Sequence, residues 1–104
     1  MTLQDIQKAP VVMTAAVAAA EKDPTTHDYI IDCLLDMFGG NYGTVSESDT
    51  AANNEELAAG VGRILARYEA RHELDNDIYI ISDFCADDPG DDSNHTTIMY
   101  VSEY

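Results

Sequence analysis

The run DIYIISD at residues 77–83 constrains this chain most, because Ile78, Tyr79, Ile80 and Ile81 are β-branched or aromatic in succession and read as a strand. A strand needs neighbours, since a pleated segment cannot pair its own backbone groups. Two other runs are candidates: GRILARYEA at 62–70 and TTIMYV at 96–101. Before the last run lies CADDPGDDSNH, where Asp87, Asp88, Asp91 and Asp92 flank Pro89-Gly90, the composition of a hairpin tip. The run at 62–70 is ambiguous. Arg63, Arg67 and Arg71 recur every four residues, which suits a helix, whereas Ile64, Ala66, Tyr68 and Ala70 alternate with polar residues, which suits a strand. Its Ala, Leu, Arg and Glu content tilts local propensity towards helix, and pattern alone does not decide.

The first sixty residues are mainly helical in pattern. Pro10-Val11-Val12-Met13 suits a short edge strand, and the Ala-rich stretch at 14–21 suits a helix with Thr14 as N-cap. Asp23-Pro24 breaks that helix, and Thr25 or Thr26 is expected to cap the next. Residues 26–38 form the clearest helix, with Ile30, Ile31, Leu34, Leu35 and Phe38 expected on one face and Gly39-Gly40 as a left-handed stop. Asp28, Asp32 and Asp36 fall on a neighbouring face, successive carboxylates about 6 Å apart along the axis. Asn41-Tyr42-Gly43 is a turn, and Ser46 starts a helix to about residue 59 whose first turn carries Glu47 and Asp49, where acids complement the helix dipole. Gly60 ends it, and residues 72–76 are polar and turn-like. These elements predict an α+β fold, N-terminal helices packed on a small antiparallel sheet of about three to four strands, in one domain spanning 1–104.

Charge narrows the function. Twenty Asp and Glu against five Lys and Arg give a formal net charge of -15. Such a field repels nucleic acid and anionic membranes and attracts basic proteins or cations, so direct nucleic-acid or membrane binding is not expected. The carboxylates best placed to meet a basic partner are Asp28, Asp32, Asp36, Glu47, Asp49, Asp83, Asp87, Asp88, Asp91 and Asp92. The plainer alternative is that these acids only solvate the surface.

Catalytic and metal motifs do not emerge from the sequence. The loop at 87–92 lacks the EF-hand spacing, His27, His72 and His95 are scattered singly, and Cys33 and Cys85 are not spaced as metal ligands or a redox pair. Neither a nucleophile elbow nor a phosphate-binding glycine loop is present, and Cys33 has no basic neighbour in its helix. A non-enzymatic protein without cofactor or metal is therefore expected. MTLQDIQKAP is not a basic stretch followed by an apolar one, and the apolar run after it is short, so a cytoplasmic location is expected.

Several segments, taken in order, are familiar: GGNYGTVSESDTAANNEEL, GRILARY, IYIIS and TTIMYVSEY. From residue 40 to 104 the chain resembles a family of small acidic proteins carried on plasmids, conjugative elements and phages of Gram-positive bacteria. That family shows G-(D/N)-(W/Y)-G before an acidic helix, then R-(I/L)-L-x-x-Y, a strand of the I-x-I-I-T kind and a closing T-T-I-L-L-P-E-E-Y. Gly40, Asn41, Tyr42 and Gly43 match the turn, Asp49 and Asn53 the helix, and Arg63, Ile64, Leu65 and Tyr68 the next element. Thr96, Thr97, Ile98, Glu103 and Tyr104 match the end, whereas Val101 and Ser102 depart from it and the loop at 86–95 is longer and more acidic. The resemblance implies that 62–70 is a strand. Such proteins are often labelled as components of type I restriction-modification systems. A methyltransferase, however, needs a cofactor-binding α/β domain with a glycine-rich first turn, which this chain lacks.

What the resemblance implies is a link to mobile elements and host defence. With the charge, it leads to the expectation of an anti-defence protein, an anti-restriction or anti-CRISPR inhibitor whose anionic surface occupies the basic DNA channel of a partner such as a nuclease complex. The alternative is an accessory regulatory or structural module that self-associates as a homodimer, or binds a protein partner, through an apolar sheet face.

Overall fold

A computed structural model describes residues 3–85 and 94–104. Its elements are α1 (Leu3–Gln7), β1 (Val11–Met13), α2 (Ala15–Ala20), α3 (Pro24–Phe38), α4 (Glu47–Ala59), β2 (Val61–Tyr68), β3 (Ile78–Cys85) and β4 (His95–Tyr100), followed by a 3-10 turn at Val101–Glu103. The α+β expectation holds, with the helices N-terminal to the three long strands.

The sheet has the order β1-β4-β3-β2. Its three long strands are antiparallel, as expected, but β1 runs parallel to β4, so the sheet is mixed rather than antiparallel. The parallel pairing follows from connectivity: β1 is separated from β4 by most of the chain and is free to join the edge in either direction. Thr96 N donates to Pro10 O at 2.8 Å and Thr14 N donates to Ile98 O at 3.0 Å, anchoring both ends of β1.

The ambiguous run is a strand. In β2 every second residue from Ile64 to Tyr68 is buried, and Ile64, Ala66 and Tyr68 face Ser82, Ile80 and Ile78 across β3. The same layer continues through Thr96, Ile98 and Tyr100 of β4 and receives Ile6 of α1, Val17 of α2 and Ile30, Cys33 and Met37 of α3. Burying this face outweighs the mild helical propensity of GRILARYEA, because propensity differences are tenths of a kcal/mol per residue. Ser82 and Thr96 add a buried hydroxyl pair at 2.7 Å inside this layer.

Capping corrects one expectation and bears out the Gly39-Gly40 stop. Asp23, not Thr25 or Thr26, is the N-cap of α3, accepting from Thr26 N at 3.0 Å and from the Thr26 hydroxyl at 2.9 Å, with Pro24 in the first turn. Thr26 is instead buried, and its hydroxyl accepts from Glu73 N. At the other end Gly40, with φ +90, takes the left-handed position, whereas Gly39 has φ -86. Thr14, Ser46 and Gly60 cap as expected.

Asn53 is the largest surprise in α4. Fully polar in type yet 3% exposed, it accepts from Leu65 N at 3.0 Å and donates to Leu65 O at 2.8 Å. Its amide thus imitates a neighbouring strand on the outer edge of β2. Further along that edge Arg67 N donates to Tyr42 O and Thr44 N donates to Arg67 O. Gly43 sits between them with φ +74, and a Cβ there would lie 1.9 Å from Arg67 O. The G-N-Y-G turn and the Asn of α4 therefore share one task, covering a strand edge that would otherwise be free to pair with another chain.

Candidate partner-binding surface

The carboxylates picked out from the sequence fall into separate places. Asp28, Asp32 and Asp36 are all exposed on α3, and among the described residues none forms an ion pair. Glu47 and Asp49 are exposed in the first turn of α4, where Ser46 Oγ accepts from Asp49 N at 3.1 Å and the acids face the positive end of the helix. Asp83 lies on the sheet face turned away from the helices, and Asp87, Asp88, Asp91 and Asp92 lie outside the described residues.

Asp83 does not present a free carboxylate. Arg63 Nε donates to it at 2.9 Å across the β2–β3 pair, and His95 Nε2 lies 3.6 Å away. Four residues further along β2, Arg67 grips Asp77 at 2.9 Å and rests over the Tyr79 ring, 5.9 Å from its centroid. Asp77 also accepts from Ala70 N at 2.9 Å. That backbone hydrogen bond first, and the Arg67 guanidinium second, hold the Asp77 carboxyl below the usual carboxylate range. Tyr104 folds back over this face, edge-on to Tyr79 at 5.4 Å, its hydroxyl accepting from Arg63 at 3.2 Å. Among the described residues, the sheet face thus carries internal ion pairs, whereas the aspartates of α3 have none.

Burial on α3 differs from the pattern expected of it. The inward face is Thr26, Ile30, Cys33 and Met37, with Leu34 and Phe38 partly buried. Ile31 and Leu35 are 41% and 56% exposed. The core meets α3 along Thr26, Ile30, Cys33 and Met37, so the apolar positions at 31 and 35 turn away from it.

Beside α3 a cleft of about 320 Å³ is lined by Tyr29, Asp32, Cys33, Asp36, Glu69 and Arg71, among others. Burial pushes the Cys33 thiol up to about 11 and the Tyr29 phenol up to about 12. The Tyr29 hydroxyl donates to Glu69 O at 2.6 Å, and Arg71 lies over the Tyr29 ring at 5.4 Å. A thiol held protonated is a poor nucleophile. Among the described residues no group of three or more His, Cys, Asp and Glu side chains is placed to hold a metal ion, and no helix is long and apolar enough to cross a membrane.

No family model, no curated protein and no solved structure matched the chain.

Proposed function

We propose that this is a non-enzymatic acidic binding protein that uses the outward face of α3 to occupy a basic surface on a partner protein. The observation that carries the reading is the row of Asp28, Asp32 and Asp36, exposed and without ion-pair partners among the described residues, while Arg63 and Arg67 are spent on Asp83 and Asp77. Like charges four residues apart destabilise a helix, so a row of three on one face carries a small cost that pairing with a basic partner would offset. Duplex DNA carries a charge every ~1.7 Å of axis, and a rigid anionic helix competes for a groove built to hold it.

Combined with the resemblance to mobile-element proteins, the row supports an anti-defence role: the protein binds a DNA-handling nuclease complex in the cytoplasm and blocks its basic channel. The test is transfer of unmodified plasmid into a restricting Gram-positive host that expresses the protein. Wild type is expected to raise transfer at least ten-fold, and the Asp28→Asn/Asp32→Asn/Asp36→Asn variant to leave it near the level of the empty vector. Equal effects of the two proteins would remove the carboxylate row from the account.

A second reading has one observation in its favour. Val12, Val61 and Tyr104 are 49%, 53% and 69% exposed, which a self-associating sheet would bury. Val12 and Val61, however, belong to the two outermost strands, about 14 Å apart at ordinary strand spacing, and the Arg63–Asp83 and Arg67–Asp77 pairs lie on the face they flank. Sedimentation across a concentration series decides this reading, with a monomer expected throughout.

A further inference from the structure

We propose that the segment docking on α3 is a basic amphipathic helix, recognised by an apolar column as well as by charge. The inference rests on the reading of α3 as the partner-binding face and specifies what it binds. At 100° per residue, Ile31 and Leu35 lie roughly opposite the buried Thr26, Ile30, Cys33 and Met37. They are four residues apart, one helical turn, and 41% and 56% exposed. Asp28, Asp32 and Asp36 form a second column beside them with the same four-residue step. The outward face therefore carries two parallel stripes, one apolar and one anionic.

A surface that only imitates phosphates has no use for an exposed Ile and Leu beside its carboxylates. Their burial by a partner removes apolar area from water and at the same time lowers the local dielectric around the adjoining ion pairs. The charge complement is a column of Lys or Arg; the apolar complement is a column of Leu, Ile or Met next to it. A helix supplies both with the matching step of about 6 Å and pairs its own backbone groups internally. An extended segment laid across a helix would leave its backbone without strand partners. A chain of net charge -15 draws such a basic segment in from a distance, and the two apolar anchors fix its register.

The probe is a labelled 18-residue peptide of Leu and Lys with leucines along one helical side, compared with a scrambled peptide of equal composition and charge. Anisotropy titrations use the full chain, its Ile31→Ser/Leu35→Ser variant and its Asp28→Asn/Asp32→Asn/Asp36→Asn variant. The amphipathic peptide is expected to bind wild type at least ten-fold tighter than the scrambled one. The Ser variant is expected to lose that preference while still binding the scrambled peptide as wild type does. The Asn variant is expected to weaken both. Equal binding of the two peptides to wild type, or a preference that survives in the Ser variant, overturns the proposal. If binding is equal yet still depends on the aspartates, the anionic-face reading stands and only the apolar column falls. If it depends on neither set, both fall. All five positions are solvent-exposed, and Leu35→Gln alone provides a milder test of the same column should circular dichroism show the double variant to be unfolded.

Discussion

At the residue scale, one buried amide and one glycine close the outer edge of β2. Asn53 replaces a strand neighbour for Leu65, so Asn53→Ala is expected to leave a partly buried N–H and C=O without partners and to cost about 2 kcal/mol in a urea titration. Asn53→Asp keeps the acceptor but turns an oxygen towards Leu65 O, and it should not restore the loss. Gly43→Ala is the harsher change, because its Cβ meets backbone rather than a flexible side chain. A loss of more than ~3 kcal/mol is expected there, and an unchanged midpoint would show that the turn does not pack as described. Asp77 gives a pH signature. Its folded carboxyl titrates below the unfolded value near 4, so its contribution is present above that value and fades as pH falls through the lower folded one. The stability gap between wild type and Asp77→Asn should therefore be constant from about pH 5 to 7 and narrow below about pH 4.

At the element scale, the proposed binding role of α3 works against its stability. Removing the two like-charge steps in Asp28→Asn/Asp32→Asn/Asp36→Asn is expected to raise stability by ~0.5 kcal/mol while abolishing partner binding. A variant that is both less stable and still active would contradict this division. Much at this scale was legible in the sequence: β3 from its β-branched run, α4 from Ser46 and Gly60, and the edge strand β1 from Val11 and Val12. What was not legible depended on contacts distant in sequence. Residues 62–70 read as helix or strand because their periodicity fits both, and only the register against Ile78, Ile80 and Ser82 decides. The parallel sense of β1 was hidden for the same reason. On α3, apolar type predicts burial, yet Ile31 and Leu35 point away from the core; exposure is set by where the sheet lies, which the helix's own sequence does not state. The row Asp28, Asp32 and Asp36 was found by spacing, whereas the pairing of Asp83 with Arg63, twenty residues away, was not.

At the scale of the whole molecule, the governing quantity is charge. Among the described residues Arg63 and Arg67 of β2 pair with acids of the sheet side, while Asp28, Asp32 and Asp36 of α3 stand without ion pairs. With a net charge of -15, self-repulsion opposes the compact state, so raising NaCl from 20 to 500 mM is expected to increase the melting temperature by several degrees at pH 7. The same salt should weaken any complex formed through α3. Stability and binding would then respond to ionic strength in opposite directions, a combination that an acidic surface used only for solvation does not produce. The most direct measurement is capture from a Gram-positive host lysate on immobilised wild type and on the Asp28→Asn/Asp32→Asn/Asp36→Asn variant, washed at low and high salt. A DNA-handling complex held by wild type, absent from the variant and released by salt is the expected result. The same proteins held by both, at either salt concentration, would contradict the assignment of α3 as the binding face.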